Sequence, residues 1–124
     1  MNQLALAFDD DRRAFEPGAT IRGRALWLCE QPPTSIEVRL FWRTQGKGDT
    51  DLEVVDVARI ETTDAAGEQP FAISAPRRPW SFSGKLISLI WALEIVALPS
   101  EDSERFDITI APQGREVILF RAPG

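Results

Sequence analysis

The side chains that most often carry chemistry are sparse in this chain of 124 residues. Histidine is absent. That removes the group titrating nearest neutrality and the commonest metal ligand, and with it Ser-His-Asp and Cys-His nucleophiles and most zinc sites. The one cysteine, Cys29, stands beside Glu30 with no neighbouring base or cation to lower its pKa, and reads as a small apolar filler. Carboxylates cluster at Asp9, Asp10 and Asp11 and again at Glu101, Asp102 and Glu104. Neither cluster has the ligand spacing of a calcium loop, so both read as solvated turn tips. Gly46, Lys47 and Gly48 lie close together, but no Ser or Thr follows the lysine and the spacing of a phosphate loop is missing. A hairpin connection is expected there. No spacing holds two acids over one pocket. The expectation is a protein that is not an enzyme, with no catalytic residues, no metal site and no cofactor.

Binding residues are easier to nominate. Trp27, Trp42 and Trp91 fall in apolar strand registers and are expected in the core. Trp80 sits between Pro79 and Ser81, beside Arg77 and Arg78, and is read either as an exposed contact or as packing over one end of the fold. Arg77 and Arg78 could dock an acidic partner or simply solvate a turn. Glu94 lies inside an apolar run, where an unpaired carboxylate would be costly. Arg22, Arg24 or Arg39 is its expected partner, with an arginine–carboxylate switch, a structural pair and a solvent-facing edge as the readings open to it. Trp80, Arg77, Arg78 and Glu94 are the candidate binding residues.

Strands must position these groups. Ile36, Val38, Leu40 and Trp42 alternate with Glu37, Arg39 and Arg43, with Phe41 the one apolar exception on the polar side. Further strands are read at 4–8, 20–28, 51–62, 71–73, 85–98, 105–111 and 115–120. Turn signals separate them: Asp9, Asp10 and Asp11; Pro17-Gly18; Pro32-Pro33; Gly46-Lys47-Gly48-Asp49; a polar stretch at 64–68; Pro76 and Pro79; the acids at 101–104; and Pro112-Gln113-Gly114. About eight short strands at regular spacing predict an all-β, two-sheet sandwich. The run at 86–98 is long enough for a buried helix, but Gly84 and Pro99 at its flanks favour a strand. Its residues are apolar on both faces, so something is expected to cover the outer one: a loop, a second copy or a partner.

One domain spanning 1–124 is expected from length, and its core should need no staples. The balance is 14 basic against 19 acidic residues, a net charge of -5. The basic residues are scattered, which argues against nucleic acid and against anionic membrane surfaces. The start lacks a signal-peptide pattern, and the longest apolar run falls short of the ~20 residues of a spanning helix. A cytoplasmic protein is expected.

The segment Phe15-Glu16-Pro17-Gly18-Ala19-Thr20-Ile21-Arg22-Gly23, a Pro-Gly turn and then a strand with a glycine, resembles the opening of an arrestin-type amino-terminal domain. The strand at 35–41, the segment 70–76, Trp80-Ser81-Phe82-Ser83-Gly84 and Leu89-Ile90-Trp91-Ala92-Leu93 follow in matching order, so the resemblance covers 15–98. It implies an immunoglobulin-like antiparallel sandwich, a relation to sporulation-control proteins, and adaptor or scaffold work through protein contacts. Two departures stand out. Such relatives pair two sandwiches, whereas this chain has length for one. Residues 4–8 also lack the basic groups with which receptor-binding arrestins sense phosphate, and that activity is not carried over. The functional expectation is a cytoplasmic protein-interaction module that meets a protein partner, or itself, through a sheet edge or outer sheet face. The alternative is a small-ligand or carbohydrate-binding module that uses loop tryptophan and acidic loops.

Overall fold

A computed structural model describes residues 2–46, 50–84 and 86–118, apart from the side chain of Val117. The strands are β1 (Gln3–Phe8), β2 (Ala14–Phe15), β3 (Thr20–Leu28), β4 (Ser35–Gly46), β5 (Leu52–Glu61), β6 (Ala66–Ser74), β7 (Phe82–Ser83), β8 (Ile87–Leu98), β9 (Asp102–Ile110) and β10 (Val117–Ile118). Two 3-10 turns, Asp9–Asp11 and Pro112–Gly114, interrupt them. A smaller sheet runs β1-β3-β6, and a larger one runs β10-β7-β8-β4-β5, with β9 on β8 and β2 on β9. All pairings between long strands are antiparallel. Among the described residues only the two-residue pairs β2·β9 and β7·β10 run parallel. The fold is the expected all-β, two-sheet immunoglobulin-like sandwich. Among the described residues no helix is long and apolar enough to cross a membrane.

Alternation decides what is inside. Ile36, Val38 and Leu40 of β4 and Trp91, Leu93 and Ile95 of β8 are fully buried, facing Ile21, Ala25, Phe71 and Ile73 of the smaller sheet. Two cross-strand pairs set aromatic rings over glycines. Trp27 lies on Gly67, and Phe71 lies on Gly23. A Cβ at Gly67 would collide with the indole, and one at Gly23 would collide with the Ala7 carbonyl oxygen and press on the Phe71 ring. The Trp27 indole N–H is satisfied by the Asp64 carbonyl at 3.0 Å.

The second apolar face of β8 is covered by the chain's own side chains. Phe41, Ala92 and Val96 are almost completely buried on that side. Arg43 reaches across β8 from β4 to Asp107 on β9, with contacts of 3.1 and 3.3 Å. Beside it Arg39 and Arg59 both reach Glu37, and Arg59 also holds Glu61. Arginine stems bury apolar surface while their heads stay wet, so much of the outer face is covered within the chain itself.

The short strands β2 and β7 were not expected, β4 runs on to Gly46, and β6 and β9 start earlier than expected. β6 starts at Ala66, inside the stretch expected to turn, because Gly67 must lie flat beneath Trp27. β9 starts at Asp102, inside the expected acidic loop, since exposed acids are tolerated on an edge strand. Lys47, Gly48 and Asp49 of the expected hairpin, Lys85 of the expected β8 segment, and Leu119 and Phe120 of the last lie outside the described residues.

Candidate interaction edge

The loop at 75–81 is pinned at both ends. Ala75 donates to the Ala19 carbonyl at 2.7 Å and accepts from Gly18 at 2.9 Å. Buried Ser81 donates its N–H to the Ile110 carbonyl at 2.7 Å, and its Oγ accepts the Ile110 N–H at 3.0 Å. The Trp91 indole donates to the Pro79 carbonyl at 2.8 Å. This anchoring brings Arg77, Arg78 and Trp80 together, exposed, at one end of the sandwich. The Trp80 indole donates to the Arg77 carbonyl at 2.9 Å, and the Arg77 guanidinium lies over Gly18.

Glu94 is elsewhere, and its expected ion pair is absent. It stands half-buried on the outer face of the larger sheet, in register between Arg39 and Arg105, with no ion pair among the described residues. Arg39 turns to Glu37, Arg24 pairs with Glu68, and Arg22 belongs to the other sheet. On that outward face the carboxylate is only partly buried, which lowers the burial cost that a core position would have imposed.

The four long edge strands differ in how they are protected against pairing. β5 carries more exposed large apolar side chains than any other described strand, Leu52, Val54, Val55 and Val57. It also carries a bulge opposite Leu40/Phe41, and the Asp56 carboxylate takes the Val57 N–H at 2.8 Å. β6 has Pro70 in its middle and a salt-bridged Glu68. β9 is charged, and β2 covers its end. Bulges, prolines and charges are the usual means of blunting a sheet edge. β1, Gln-Leu-Ala-Leu-Ala-Phe, has none of them. Its six residues pair in unbroken register with β3, and its outward N–H and C=O groups meet no described residue.

The surroundings of that edge are built from distant parts of the chain. Outward-facing Gln3, Ala5, Leu26, Leu28, Ala66 and Glu68 line a shallow, mostly apolar groove of 630 Å³ on the outer face of the smaller sheet. On the sandwich side, Asn2 donates to Asp102 at 2.6 Å and accepts from the Glu30 N–H at 3.0 Å, tying the start of β1 to β9. At the far end Phe8 meets Phe106 edge to face at 6.4 Å, with the Arg13 guanidinium 4.5 Å above the Phe8 ring. Burial pushes the nearby Cys29 thiol up, and the charge of Asp102 adds to the effect. Among the described residues no three carboxylate or cysteine groups converge where a metal ion could sit. The uncharged stretch 4–8 was the only sequence signal of this edge. Its neighbours on β9 lie about a hundred positions away, where no local pattern can reveal them.

No protein-family model matches the chain, and no curated protein matches it. Solved structures do. The chain is similar to Spo0M, a sporulation control protein from Bacillus subtilis, with TM-score 0.61 and 14% identity, over 89% of this chain and 49% of that one. It is also similar to part of a β-glucosidase from Listeria innocua, solved alone and with gluconolactone, with TM-score 0.50 and 10% identity. That match covers 94% of this chain and 16% of the enzyme. The chain thus spans about half of Spo0M and a small part of the glucosidase. At these identities the likeness is one of fold. The Spo0M match is the kind the arrestin-type resemblance implied.

Proposed function

We propose that this chain is a cytoplasmic protein-interaction module of arrestin type, an adaptor or scaffold that accepts an extended segment of a protein partner as an extra strand on β1. The observation that carries this reading is the contrast between edges: three long edge strands are blunted, and the fourth, β1, is regular, uncharged and open. Adding a strand joins main-chain hydrogen bonds to pockets for alternate side chains. The groove beside Ala5 and Leu26 supplies such a pocket. About half the residues of a six-residue edge face outward, and each hydrogen bond contributes about 0.5–1.5 kcal/mol net. Since association also costs translational and rotational freedom, main-chain bonds alone give weak binding, and side-chain contacts in the groove must supply the rest. Cys29, a buried free thiol, fits a reducing compartment. The carbohydrate reading has less support, since Trp80 is the one exposed tryptophan and its N–H is already engaged.

The test is selection of extended peptides from a displayed random library, followed by amide hydrogen exchange of the chain with a selected peptide bound. Slowed exchange in residues 3–8 is expected. Protection confined to other strands, or no peptide bound at millimolar concentration, would remove the reading.

A further inference from the structure

Resting on that reading, we propose that the strand accepted by β1 is a basic one, carrying Lys or Arg where it lies against residues 3–5. A strand laid beside β1 turns alternate side chains towards the outer groove and towards β9. On the β9 side it meets Asp102 and Glu104. Asp102 touches Asn2 at the start of β1, and Phe106 touches Phe8 at its end. Glu104, two residues from each, shares their face and lies between them. Both carboxylates are exposed and have no ion pair among the described residues. β1 itself brings no charge to offset them. At the opposite end the Arg13 guanidinium above Phe8 reverses the sign, so the positive residues of the partner belong at the Gln3 end.

The same charges weigh against a second copy as the occupant. A symmetric pair joined through β1 would be antiparallel, the Gln3 end of each chain beside the Phe8 end of the other, so that Glu104, near mid-strand, would face its own symmetry mate in a molecule whose net charge is already -5. Like charges set against each other exclude wrong partners, and opposite charges select right ones.

The test uses the full chain and three peptides with one common β-branched, apolar core, differing only in Lys, Gln or Glu at two alternate positions near one end. The Lys peptide should bind about tenfold more tightly than the Gln peptide at low salt, and the Glu peptide more weakly still. The preference should shrink as salt rises. The double variant Asp102→Asn with Glu104→Gln should lose most of it, whereas Glu94→Gln, on the other face of the larger sheet, should keep it. Circular dichroism checks that each variant is folded. Equal binding of Lys and Gln peptides, with β1 amides protected by both, would overturn this inference and leave the proposed function standing. A peptide-free dimer with protected β1 amides would overturn it in favour of a second copy. Failure of all three peptides to protect β1 would remove both.

Discussion

Burial keeps the Cys29 thiol protonated beyond its ordinary range, and the negative charge of Asp102 acts in the same direction. The folded chain therefore holds this proton where the unfolded chain has begun to lose it. Stability is full below the ordinary thiol value and falls as pH rises through it towards the folded value. Urea midpoints measured from about pH 8 to about pH 10 should decline, and the decline should be shallower in Cys29→Ala. A second expectation concerns Gly67. At an open strand site, Gly→Ala commonly stabilises by restricting the unfolded chain. Here the added Cβ would strike the Trp27 indole, so Gly67→Ala should lose about 1–3 kcal/mol in denaturant unfolding. Trp27 was legible as a core residue. Its glycine partner was hidden in a stretch that looked like a turn, because the pairing joins positions forty apart.

Among the elements, strands were legible where the two faces differ in polarity. Ile36, Val38 and Leu40 against Glu37 and Arg39 left little choice, and β4 lies as expected with those three residues inward. β8 was legible as a strand, yet the role of its outer face was not. Period-two alternation shows that Ala92 and Val96 need cover, but not that Arg43 reaches over β8 to Asp107 to give it. For Glu94 the sequence left a pair and a solvent-facing position both open, since a linear pattern cannot say which side of a sheet is wet. Two element-scale tests follow. Ser81→Ala removes the acceptor of the buried Ile110 N–H and should cost about 1–3 kcal/mol, read as a lowered urea midpoint. Asp56→Val on β5 removes a charge from the most apolar edge and frees the Val57 N–H. Sedimentation velocity should show concentration-dependent association in this variant at concentrations where the parent chain sediments more slowly. Unchanged sedimentation would mean that the bulge alone blunts the edge.

For the molecule as a whole, the sandwich places its apolar and charged groups unevenly. Guanidinium arms close one broad face, pinned loops hold Arg77, Arg78 and Trp80 at one end, and the edges are blunted except along β1. The sequence led towards the loop with Trp80, because an aromatic between prolines is conspicuous in a linear reading. An uncharged six-residue strand is inconspicuous until its position at the side of a three-stranded sheet is known. The central claim is that main-chain groups of β1 bind the partner. Nuclear Overhauser contacts between the amide protons of a bound Lys-bearing peptide and those of residues 3–8 test it most directly. A regular ladder of inter-strand contacts along β1 is the expected result. A bound peptide whose contacts run to Trp80, Arg77 and Arg78, with none to β1, would contradict it.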